Sequence, residues 1–94
     1  MFLQNDVNEL YDHFSDKVYA AGSLDKKTKE LIAVACSVMA DCLPCLEWHY
    51  KQAVLASANQ DELSEALAIS MGISAGSKRA KYGPVIDKLE HAKK

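Results

Sequence analysis

Val7, Leu10, Tyr11, Phe14 and Val18 recur at three- and four-residue steps, which places one apolar stripe along an amphipathic helix that Ala21-Gly22-Ser23 ends. Leu24 and Asp25 then supply a hydrophobic residue and an N-cap for a second helix running to about Ala40. From Leu31 onward this helix is apolar almost all round, so its second half is expected to be buried in the domain or between subunits. Asp41 to Pro44 forms a boundary, because proline lacks the donor that a helix interior needs but fits a first turn. A third helix follows from roughly Cys45 to Ser57. A fourth carries Leu63, Ala66, Leu67, Ile69, Ser70 and Ile73, with Asp61 as its expected cap and Gly72 and Gly76 marking a close helix contact. Gly83-Pro84 is expected to break the chain before a short helix with Val85, Ile86 and Leu89, and Lys93-Lys94 to fray. No stretch alternates with period two, so the fold class is all-α, a small helical domain of about five helices spanning residues 1–94.

At 94 residues a single domain buries only about two-thirds of the surface its unfolded chain exposes. Hydrophobic residues make up 49% of the chain, more than so small a core absorbs, and a homo-oligomer is expected. The formal net charge of -2 argues against general affinity for nucleic acid or acidic membranes, leaving small molecules or proteins as partners. Three cysteines are too few, and of the wrong parity, for a disulfide-stapled secreted scaffold. With no basic leader before an apolar stretch, and the longest apolar run, Leu31 to Ala40, interrupted by Ser37, the chain reads as soluble and cytoplasmic.

The densest chemistry lies in Cys42-Leu43-Pro44-Cys45-Leu46-Glu47-Trp48-His49. Two thiols at this spacing can close a small disulfide ring, and Leu43, preceding a proline, is pushed from helical geometry, so the helix should start at Pro44 or just before. Cys45 then lies in a first turn, where unpaired N–H groups and the helix dipole favour a thiolate. His49 stands four residues on, with its ring expected to project over Cys45 as base over nucleophile. The leading reading is thiol–disulfide redox chemistry. An alternative is a zinc-binding structural or interaction module, since Cys36, Cys42, Cys45 and His49 make a Cys3His set. Trp48 and Tyr50 read as core or interface aromatics, and His13, His91 and Lys78-Arg79-Ala80-Lys81 as surface.

With Glu30 added, the spacing Glu30, eleven residues, Cys42-x-x-Cys45, three residues, His49 resembles the signature of the alkylhydroperoxidase (AhpD-like) branch of the carboxymuconolactone decarboxylase family. Leu24 to Ala35 before the motif, and Glu65-Ala66-Leu67 with Gly72 after it, look like that family's flanking helices. The resemblance implies an all-helical AhpD-like fold that works as an oligomer. It implies Cys45 as the nucleophile towards hydroperoxide, Cys42 as the resolving and exchanging thiol, and Glu30 and His49 as a proton relay. It implies a hydroperoxide or disulfide substrate, a thiol or dithiol reductant, whether protein or small molecule, and no metal, haem or flavin cofactor. The branch tends to carry a histidine just before the second cysteine, where this chain has Pro44, so the likeness supports dithiol redox chemistry more strongly than peroxide reduction. A disulfide reductase with little peroxidase activity is the alternative within redox chemistry. Outside the resemblance, Glu30 reads as a solvated helix residue. An antiparallel hairpin turning near Cys42 would set residue 49 beside about residue 35, leaving Glu30 about 7.5 Å of helix rise away, a gap that two long side chains or a water can bridge.

Overall fold

The computed structural model describes residues 2–92, which form α1 (Asn5–Tyr19), α2 (Lys26–Met39), α3 (Leu43–Leu55) and α4 (Gln60–Ala92), with no strand among them. Lys93 and Lys94, expected to fray, lie outside the described residues. The all-helical class holds, but the expected five helices are four, because α4 runs unbroken through Pro84 for 33 residues. A proline inside a helix loses one hydrogen bond and crowds the preceding residue. Here that residue is Gly83, which has no Cβ to clash, and the carbonyl left without a donor belongs to Ala80, an exposed position where water can serve it.

Asp25 caps α2 as expected: its carboxylate accepts from the Thr28 amide at 2.7 Å. That bond holds the Asp25 carboxyl below its ordinary value. At the start of α4 the cap is Asn59 rather than Asp61. The Asn59 side chain accepts from the Glu62 amide at 2.8 Å, and Glu62 Oε1 accepts from the Asn59 amide at 2.9 Å, a reciprocal capping box. Spacing decides this, since a box needs Glu or Gln three residues after the cap, and Glu62 stands three after Asn59. Glu62 also meets Lys27 at 2.8 Å, tying α2 to α4, and the pair lowers the Glu62 titration and raises that of Lys27.

Two sharp turns build the central hairpin. After α2, the Cys42 amide donates to Ser37 O and the Asp41 amide to Val38 O, a Schellman closure with Asp41 left-handed at φ 60. The same closure ends α3, where Ala58 donates to Ala53 O, Ser57 to Val54 O, and Ser57 has φ 75. The first turn leaves only three residues between α2 and α3, so the helices run back along each other and Cys42 is pinned where one ends and the next begins.

The core is small. Val34, Ala53, Ala58 and Leu63 are buried, with Leu31, Leu46, Tyr50 and Leu67 packed against them. Ser70 Oγ donates to Ala35 O at 2.7 Å, binding α4 to α2. Much of the apolar surface stays outside. Leu10 is 69% exposed and Phe14 65%, so the middle of the apolar stripe that forms α1 stays largely uncovered within the chain. Beyond Ser74 α4 exposes Tyr82, Val85, Ile86 and Leu89. A β-carbon at Gly72, Gly76 or Gly83 would meet open space, so the expected close contact at Gly72 and Gly76 is absent within the chain. The radius of gyration is 18.5 Å, against about 12 Å for a compact chain of this length.

Candidate functional site

Helix α3 begins at Leu43, just before Pro44 as the proline implies, with Pro44 at its second position and Cys42 as the N-cap. Cys45 therefore sits in the first turn, as anticipated, and Cys42 is the residue at the tip. The two sulfurs are bonded as a disulfide, with Cα atoms 5.3 Å apart. Cys42 Sγ also accepts from the Cys45 amide at 3.2 Å, filling the role that a serine or aspartate oxygen plays at other helix starts. A shallow dent walled by Ser37, Val38, Leu43 and Leu46 opens beside Cys42.

Behind the disulfide lies a buried polar pair. Glu30, on α2, is 1% exposed, and its Oε2 lies 2.7 Å from His49 Nδ1. Helix geometry left a gap of several ångströms between these residues; the two side chains reach across it and meet directly. A solvated Glu30, the reading from its immediate sequence alone, is overturned by its burial. An ionised carboxylate can only accept, so the ring donates its Nδ1–H, and in the neutral ring Nε2 carries the free lone pair. Nε2 has no hydrogen-bond partner, yet every buried polar side-chain atom among the described residues has one, so this nitrogen opens to water. Its position four residues after Cys45 on α3 places it on the same helix face as that sulfur. With the disulfide closed, no hydrogen bond joins the ring to either sulfur among the described residues.

Two neighbours went unremarked in the sequence. Lys26 Nζ donates to Glu30 Oε1 and to the Tyr19 carbonyl, both at 2.9 Å. The Tyr19 ring lies against His49, with centroids 4.5 Å apart and planes tilted by 44°. The four-residue step from Lys26 to Glu30 was the available signal for the first; nothing local marks Tyr19, because its contact depends on how α1 returns to α3. Trp48 is 62% exposed and helps wall a pocket that reaches Glu30 from the α1 side, together with Asp16, Tyr19, Lys26 and Gln52. Tyr50, by contrast, joins the core.

The zinc alternative finds no geometry: among the described residues no three His, Cys, Asp or Glu side chains are grouped to hold a metal ion. Cys36 is free and exposed. It lines an apolar groove of about 540 Å³ between α2 and α4, with Leu31, Ile32, Met39, Ile69 and Ile73, and none of Cys42, Cys45 or His49 borders that groove. No helix among the described residues is long and apolar enough to cross a membrane.

The model of the carboxymuconolactone decarboxylase family matches residues 5–82. A Paracoccus denitrificans protein known as uncharacterized protein 4 in the cox locus is 34% identical over 89 residues, covering 92% of this chain and 80% of its own. An uncharacterized Cupriavidus necator protein is 42% identical over 55 residues; the match covers 58% of this chain and 49% of that one, about half its length. Among solved structures, a Methanobacterium thermoautotrophicum protein superposes with a TM-score of 0.79 at 35% identity, over 85% of this chain and 90% of the other. A Thermotoga maritima member of the same family, with a suggested part in antioxidative response, shares the fold at a TM-score of 0.69 and 24% identity, over 96% of this chain and 99% of its own.

Proposed function

The chain belongs to the carboxymuconolactone decarboxylase family, and we propose that it is a dithiol oxidoreductase of that family's alkylhydroperoxidase-like branch. The observation that carries this reading is the Cys42–Cys45 disulfide set one helical turn from a buried Glu30–His49 pair. In the reduced protein, His49 Nε2 takes the Cys45 thiol proton, and Glu30 Oε2 steadies the imidazolium that forms. The Cys45 thiolate attacks the terminal oxygen of a hydroperoxide; the O–O bond breaks, the alcohol leaves with a proton, and a sulfenic acid remains. Cys42 then attacks that sulfur, water departs, and the disulfide closes. Two thiols of a protein or small-molecule reductant reopen it by exchange at Cys42, the sulfur beside the surface dent. All the site residues come from this chain, and the scheme calls on no metal, haem or flavin.

Pro44, where the branch tends to have a histidine, favours a second reading: a disulfide reductase using the same exchange without efficient peroxide chemistry. Sulfenic acid trapping separates the two. In a Cys36→Ser background, adding Cys42→Ser removes the resolving thiol, and hydroperoxide should then leave Cys45 as a sulfenic acid captured by a carbon nucleophile. Capture in the Cys45→Ser counterpart instead would reverse the roles of the thiols. Capture in neither, with disulfide exchange intact, would establish the reductase reading.

The functional unit we propose is a homo-oligomer. Its support is the exposed stripe of α1, the apolar α2/α4 groove and a radius of gyration of 18.5 Å, half as large again as a compact chain requires.

A further inference from the structure

Lys26 and Lys29 both reach the C-terminal end of α1, but they do different things there. Lys29 Nζ donates to the carbonyls of Val18 and Ala20, at 3.0 and 2.6 Å, and forms no ion pair. Lys26 Nζ divides itself between the Tyr19 carbonyl and Glu30 Oε1. That leaves Oε2 of the same carboxylate facing His49, while the Tyr19 ring lies against the imidazole. Both oxygens of a buried carboxylate are thus engaged by different partners, which fixes the plane of the group. A buried carboxylate with a single partner retains a rotation about its last bond; one gripped at both oxygens does not.

We propose that Lys26 is a positioning residue for the relay: it occupies Glu30 Oε1 and so leaves Oε2 to accept His49 Nδ1–H, and it couples the end of α1 to the site. The inference rests on the redox reading for its purpose but not for its test. The charged and titratable groups facing the carboxylate are Asp16 and Tyr19 from α1, Lys26 from α2 and His49 from α3; α4 brings none to this pocket. Removing the Lys26 cation takes a positive charge from beside the pair and leaves the carboxylate facing the imidazole alone, and both changes favour the imidazolium.

The two lysines supply the control. His49 is followed by nuclear magnetic resonance across pH, its ring signals assigned by their loss in a His49→Gln variant, in the wild type and in Lys26→Met, Lys26→Arg and Lys29→Met. Lys26→Met should raise the midpoint of ring protonation by about half a pH unit or more. Lys26→Arg should return it towards the wild-type position, and Lys29→Met should leave it in place. A Lys26→Met midpoint equal to the wild type overturns the proposal, as does an equal shift in Lys29→Met, which would make the lysine merely a tether for α1. Lys26→Gln serves the same comparison should the methionine variant not fold. Thiol oxidation rates of the same proteins, reduced and given hydroperoxide or a small disulfide, form a separate arm. A wild type inert to both removes the redox reading and leaves the ring titration to decide the role of Lys26.

Discussion

The α2–α3 hairpin is richer in apolar residues than the two outer segments, α1 and the far half of α4, and the two regions differ in what they bury. In the hairpin, Val34 and Ala53 are fully buried, each polar group of the Glu30–His49 pair that lies out of water has a partner, and a Schellman turn fixes Cys42. In the outer segments Phe14, Leu10, Ile86 and Leu89 stand half or more exposed. The difference separates what a single chain completes from what it leaves open. The chemistry-bearing residues are assembled within the single chain, while the apolar surface of the outer segments is left uncovered by it.

The sharpest way to break that contrast is to attack the hairpin's polar pair. Glu30→Ala leaves Lys26 and His49 without their shared carboxylate inside the fold, and should cost about 1–3 kcal/mol of stability, read by urea denaturation. Glu30→Gln, nearly the same size, should fold better yet slow thiol oxidation by about 10²-fold or more in stopped-flow measurements, because the amide cannot steady an imidazolium. Equal rates in Glu30→Gln and wild type would detach the pair from the chemistry.

Charges placed on the outer segment probe the other side. Leu10→Glu with Phe14→Glu should leave the hairpin's helicity unchanged but lower the mass found by light scattering to that of a monomer, since both side chains already face water within the chain. An unchanged mass would place the subunit interface elsewhere or remove it.

The smallest effect lies at the seams. Asp25→Ala should lower the urea midpoint slightly through loss of the cap. The folded chain holds the Asp25 and Glu62 carboxyls below their ordinary values, the first through the Thr28 amide and the second through Lys27. Folding therefore binds fewer protons than unfolding near those values. The two groups' contribution is complete above the ordinary carboxylate range and fades as pH falls through their lowered folded values. Acid denaturation of Asp25→Ala should show a shallower loss over that window than the wild type.

The sequence carried most of the hairpin because its signals are local: Asp25 before a helix, a proline two residues into another, and cysteines and a histidine at one-turn spacing. Cap chemistry at α4 was legible too, but in the Asn59–Glu62 pair and not in Asp61, because a box is a relation between two residues. Gly83-Pro84 misled, since the missing Cβ that makes glycine a breaker also relieved the clash that would have broken the helix. The Glu30–His49 spacing was legible as a gap of about one and a half helix turns that two long side chains or a water could bridge, and the side chains meet directly. Tyr19 was out of range, because its place against His49 is set by a tertiary return of α1.

The most direct test of the central claim is an alkylation count on the purified protein taken around a redox cycle. Of its three cysteines, the oxidised form should offer Cys36 alone to the reagent, and full reduction should offer all three. Adding a hydroperoxide or a small disulfide under anaerobic conditions should then protect Cys42 and Cys45 again, joined within one chain in the peptide map. Three alkylated cysteines before and after the oxidant, or a bridge that includes Cys36, would contradict the account.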